Sequence, residues 1–129
     1  LSEISMALSN TTLHAPLGTD VYSDTAVTNS LVQMDAGGTT VYHMEFDNTA
    51  NTAVTYYKVW NVVSGSVTLG TTQPSFIFPC EAGAKQYMTM PTAVSFATAF
   101  TYIATSTQSN NTSQSAPANA VGLTVSYSS

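Results

Sequence analysis

Residues 121–127, "VGLTVSY", set Val121, Leu123, Val125 and Tyr127 in strict alternation with Gly122, Thr124 and Ser126. A period of two puts every bulky side chain on one face of a strand and every small or hydroxyl side chain on the other. The same signal recurs along the chain. "TTVYHMEF" places Tyr42, Met44 and Phe46 in phase with Thr40, and leaves Val41, His43 and Glu45 opposite; the first set is the expected core face. In "AVTYYKVWNVV" both faces carry bulk, with Val54, Tyr56, Lys58, Trp60 and Val62 on one and Tyr57, Val59 and Val63 on the other. Such a strand is either covered on both sides or meets a partner with its outer face.

Between these runs lie "SVTL", "SFIF", "QYMTM", "SFATAF" and "FTYIAT", each short, β-branched or aromatic, and each bounded by Gly, Pro, Asn or Ser. No stretch carries a capped three-to-four-residue apolar period, so no helix is predicted. Many short strands with regular turns predict an all-β fold, a single antiparallel β-sandwich of immunoglobulin-like or jelly-roll-like type. Residues 1–30, rich in Ser, Thr and Asn around Pro16 and Gly18, are expected to form an extended arm with one early strand; residues 31–129 form the sandwich. The polar run 106–119, "STQSNNTSQSAPAN", is expected to be a loop that is either mobile or a surface for interaction.

The surface chemistry excludes several classes of function. Charged residues make up 7% of the chain, far below the usual quarter, and Ser and Thr supply 37 of 129 residues in their place. With Lys58 and Lys85 as the only cationic side chains besides two histidines, and a net charge of −5, the chain cannot neutralise a row of phosphates. Neither a nucleic acid nor an anionic membrane is an expected partner. No apolar run approaches the roughly 20 residues of a membrane-spanning helix, and "LSEISMALSNTTLH" has neither the positive start nor the apolar centre of a secretory leader. The tripeptides at Asn10, Asn110 and Asn111 match the glycosylation pattern, a chance result in a chain so rich in Asn, Ser and Thr.

Chemistry-bearing constellations are sparse. The lone Cys80 has no partner for a disulfide, and the neighbouring Glu81 disfavours a thiolate. Pro74 and Pro79, which have no N–H to donate, confine Phe76, Ile77 and Phe78 to a short strand at a sheet edge. Phe76 and Phe78 are expected in the core and Cys80 as a packed residue. His43, Glu45 and Asp47, two apart on one outer face, would supply half of a metal site, but no second strand offers the rest. Asp20 and Asp24 lack the oxygen-rich spacing of a calcium loop. No phosphate loop, nucleophile elbow or paired-cysteine motif occurs. The expectation is no catalytic residue, no metal and no cofactor; a hydrolase is the remotest alternative.

Residues 41–105 carry a pattern of another kind. "VYHMEFDNTANTAVTYYKVWNV", "VTLGTTQPSFIFPCEAGAKQYMTMP" and "VSFATAFTYIATSTQ" follow one another in an order that resembles a small module of tailed bacteriophages and prophages. In that module an "EFDN" strand end precedes a "YxKxW/Y" strand, and a "VGTTxPxxxxPxxAG" hairpin and a "PxxxxFATxxxY" strand follow. The matching residues are Glu45, Phe46, Asp47, Asn48, Tyr56 or Tyr57, Lys58, Trp60, Gly70, Thr71, Thr72, Pro74, Pro79, Ala82, Gly83, Pro91, Phe96, Ala97 and Thr98. This chain departs from the pattern at Cys80, where a small or apolar residue is expected, and near Thr92 and Ala93, where a glycine is expected.

The resemblance implies a virion structural protein on the outer capsid surface, a decoration or cement protein that binds the major capsid protein and forms a dimer or trimer there. A neck, tail or head-fibre component is the alternative within the class, and a carbohydrate-binding or adhesive module the alternative outside it. Leu8, Leu13 and Leu17 of the arm, with Tyr56 and Trp60 of the aromatic strand, are the candidate partner contacts.

Overall fold

A computed structural model describes residues 18–129, which form eight strands and no α-helix. The strands are β1 (Asp20–Val27), β2 (Val32–Asp35), β3 (Thr39–Asp47), β4 (Thr55–Trp60), β5 (Phe76–Cys80), β6 (Lys85–Phe96), β7 (Phe100–Thr105) and β8 (Val121–Ser128). They build two four-stranded antiparallel sheets, β1-β8-β3-β6 and β2-β7-β4-β5, packed face to face as the expected β-sandwich. Strand β1 lies within residues 1–30 but pairs with β8 as an edge strand of the sandwich and buries Val27 in its core, so the sandwich begins before residue 31. Leu8, Leu13 and Leu17 lie outside the described residues.

The core is the space between the sheets. Val121, Leu123 and Val125 of β8 are buried as their alternation predicts, each stabilising the fold by about 1.5–3 kcal/mol. They meet Val41, Met44 and Phe46 of β3 and, from the other sheet, Tyr57, Val59, Phe78, Phe100 and Tyr102. The Phe46 ring lies 4.7 Å from that of Tyr57 and 5.3 Å from that of Phe78, tying the layers at their middle.

On β3 one core assignment changes. Val41, not Tyr42, is buried, while Met44 and Phe46 face inward as expected. The cause is a bulge: Val41 pairs with Tyr127 and His43 with Ser126, so Tyr42 is an extra residue against β8 and the phase flips there. On the other side Val41 pairs with Val94 and His43 with Thr89, so β6 passes the same two steps with a longer arc that contains Pro91. Tyr42 is half-buried at the sheet end, its hydroxyl 3.2 Å from Ser128 Oγ.

The "SVTL" segment is also not a strand. A 3-10 turn at Ser64–Ser66 leads into it, and Val67 packs with Trp60 and Ile103 in a second cluster on the outer face of the β2-β7-β4-β5 sheet. The "SFATAF" run spans the end of β6, a turn and the start of β7.

Candidate interaction surface

Strand β4 is covered on both faces by its own chain. Lys58 points to the outer side of its sheet yet is only 1% exposed. Its Nζ donates to Ser109 O at 2.7 Å and to Gln114 Oε1 at 2.6 Å. Gln114 Nε2 in turn donates to Ser109 O and Thr112 O, and Asn29 Nδ2 donates to Gln114 O. Segment 106–119 is therefore a lid fastened over a buried ammonium group; burial holds the Lys58 pKa below its ordinary value. Trp60 is buried beneath the neighbouring segment, with Nε1 donating to Thr72 O at 3.0 Å. It is a core residue, not the exposed partner contact anticipated for it. Tyr56 is half-buried on the same outer face.

A second polar centre sits where β3 ends. The Asn48 side chain is fully buried and donates through Nδ2 to Ala53 O, Cys80 O and Glu81 O at 2.9–3.1 Å. Its Oδ1 accepts from Asn51 Nδ2 and Thr55 Oγ1. Asn51 then bonds Asn119 through both its amide groups, linking this corner to the start of β8. Sequence reading missed Asn48 as a hub; its signal was an asparagine directly after a strand and before a polar run.

The groups with chemical potential are engaged elsewhere. Cys80 is buried, with Sγ near Phe46 O and Ala84 O, and burial pushes its thiol pKa up, away from the thiolate. His43 Nδ1 lies 3.0 Å from Thr89 Oγ1. Asp47 accepts from Thr49 N and Thr49 Oγ1, bonds that hold its carboxyl pKa below the usual value. Asp24 accepts from the Tyr102 hydroxyl at 2.6 Å and from Ala26 N, so it serves the sandwich. Among the described residues no three His, Cys, Asp or Glu side chains come together as a metal site.

What the surface does offer is apolar. Strands β5 and β6 are the outer strands of the two sheets and lie on the same side of the sandwich, joined by a turn at 81–84 and by the Phe76–Phe96 ring contact of 6.0 Å. Phe76 and Ile77 of β5 and Met88 of β6 are each more than one-third exposed, and Tyr87 of β6 is 62% exposed. Phe76 was expected in the core; it lies at the rim because no strand beyond β5 covers it, and it stacks on Phe78 below. Four of the six large apolar side chains exposed among the described residues therefore share one edge. Phe76 and Met88 face the gap between the sheets at this rim, whereas Ile77, beside Lys58, and Tyr87, beside Glu45, lie on the outer faces of their two sheets.

No family model, curated protein or solved structure matches this chain.

Proposed function

We propose that this protein is a structural component of a tailed-bacteriophage virion, a capsid decoration or cement protein that binds and stabilises neighbouring major capsid subunits. One observation carries the proposal. The sequence pieces that resemble the phage module are clamped to one another by side chains within those pieces. Asn48 of "EFDN" holds the carbonyls of Cys80 and Glu81 in "PCEAG". Trp60 of "YKVW" holds Thr72 of "GTT". Asn61, the next residue, accepts from the backbone N–H groups of Thr98 and Ala99 at the "FAT" turn. These clamps give the order and spacing of the pieces a physical reason, and that order is what the resemblance rests on.

The remaining support is the kind of surface. A charge-poor, hydroxyl-rich sandwich with an apolar edge suits a protein that coats a large assembly by contact, with the Leu8, Leu13 and Leu17 segment as a further anchor. The test is co-expression with the major capsid protein of the same genome, followed by sedimentation of the shells. Co-sedimentation at a fixed ratio is the expected result; recovery with tail or neck assemblies only would assign it there.

One specific feature favours the adhesive alternative. Tyr87 is the most exposed aromatic side chain of the described residues and stacks with His43 at 6.0 Å, a platform on which a sugar ring can lie. Glycan-array binding that disappears in a folded Tyr87→Ala variant would displace the capsid role.

A further inference from the structure

We infer that the unpartnered edge of β6 is the docking site of residues 3–9 of this same chain, which add to it as a further, parallel strand. The inference stands apart from the capsid reading, to which it leaves Leu13 and Leu17 as anchors.

Strand β6 is hydrogen-bonded to β3 on one side only. Asn48 N donates to Ala84 O at the head of this ladder, so Ala84, Gln86 and Met88 turn their backbone groups to β3, and Lys85, Tyr87 and Thr89 turn theirs outward. Exposed edges are commonly guarded by charges or by proline. Here, between Lys85 and Phe96, no residue is charged, and the one proline, Pro91, sits in the arc beyond Thr89. Beside this edge Met88 and Phe76 face the gap between the sheets and stay more than one-third exposed, so the core is incompletely covered at this rim.

The stretch "EISMALS" alternates Ile4, Met6 and Leu8 with Glu3, Ser5, Ala7 and Ser9, the period of a strand that buries one face. Charge selects its edge. Glu3 is the one acidic residue before Gly18. Of the four outer strands described, β1 carries Asp20 and Asp24, β2 carries Asp35, and β5 leads into Glu81. Only β6 opens on a cation, Lys85, whose contact with Asp47 is long at 3.9 Å. Reach selects the direction. Gly18 lies against Tyr127, at the end of the sheet where Val41 pairs with Val94. A strand parallel to β6 finishes toward that end. From there residues 9–18 can span roughly 30 Å, against roughly 19 Å for the four strand spacings back to β1. An antiparallel strand would finish at the far end, about 20 Å further away. With Glu3 level with Lys85, Ile4, Met6 and Leu8 fall beside Gln86, Met88 and Met90 and close the rim, while Ser5 and Ala7 are small enough to leave the Tyr87 ring open. Tyr87 N then donates to Ile4 O, and Thr89 N to Met6 O.

Amide hydrogen exchange of the full chain, followed residue by residue by NMR, tests this. The Tyr87 and Thr89 amides should exchange slowly, and at least about tenfold faster in a full-length Met6→Asp, Leu8→Asp variant, while the amides of β3 and β8 keep their rates. Glu3→Lys and Lys85→Glu should each speed the same two amides by about two- to fivefold, and the double variant should recover most of that loss. Equal rates at Tyr87 and Thr89 in the unaltered chain and in the Met6→Asp, Leu8→Asp variant would overturn the site. Protection there that grows with protein concentration would overturn it too, by making the occupant a segment of another copy. So would a variant effect confined to the amides of β1, β2 or β5, which would put residues 3–9 on another edge. Unchanged rates in both single charge variants would overturn the Glu3 and Lys85 pairing that sets the register.

Discussion

One buried polar side chain and one thiol set the character of this molecule at the residue scale. Asn48 satisfies five partners at once, three as donor and two as acceptor. Asn48→Ala leaves several of these without a partner in a dry corner, at about 1–3 kcal/mol each before relaxation. We expect a loss of about 3–5 kcal/mol in denaturant unfolding. Asn48→Asp should be no better, because a carboxylate would then face three carbonyl oxygens. Cys80 is the contrary case. Its sulfur fills apolar space and its thiolate is disfavoured by burial, then by the Asp47 and Glu81 charges. Cys80→Ala should cost about 1–2 kcal/mol, and the folded protein should react slowly with a thiol reagent. Rapid labelling without unfolding would show that the site opens.

At the element scale, what was legible in the sequence depended on whether the period survived. β8 was plain because its alternation runs unbroken, and the edge position of β5 followed from Pro74 and Pro79. The face of β3 was legible only beyond the bulge, because one extra residue at Tyr42 reverses the phase and leaves no local mark. Residues 66–69 have strand-forming side chains, yet Val67 is drawn onto Trp60 and Gly70 turns the chain with φ +84°. A Cβ at Gly70 would lie 2.8 Å from Thr112 O, so this turn and the 106–119 lid meet there. The burial of Lys58 was not legible at all, since its partners lie 51 and 56 residues away. The lid follows from that ammonium group. Lys58→Met keeps the bulk but removes both bonds and strands the Gln114 carbonyl. Amide hydrogen exchange across 106–116 should speed up at least tenfold in the variant, with β7 and β8 protected as before. Unchanged exchange would mean that the lid is held by its other contacts.

For the whole molecule, the two sheets are joined by aromatic residues whose hydroxyl groups are buried, and this sets its response to alkali. Tyr57 donates to Gly122 O, and Tyr102 to Asp24, across the interior. Desolvation, the largest cause in both, raises their pKa values well above the ordinary 10.0. The unfolded chain releases these protons first, so the stabilisation is fully present below pH 10 and falls as pH rises toward the folded-state values. Titration followed by phenolate absorbance should show these two ionising only together with unfolding. Ionisation of all seven tyrosines ahead of the loss of structure would contradict the packing described.

Strands β5 and β6 leave Phe76, Ile77, Tyr87 and Met88 exposed at one side of the sandwich, and the decoration role proposed above would use that side in many copies on one shell. The most direct test is the copy number of this chain in purified virions, by quantitative mass spectrometry against the major capsid protein. A capsid decoration role predicts a ratio near one, or a simple fraction of one set by the lattice. Absence from virions, or a handful of copies per particle, would contradict it.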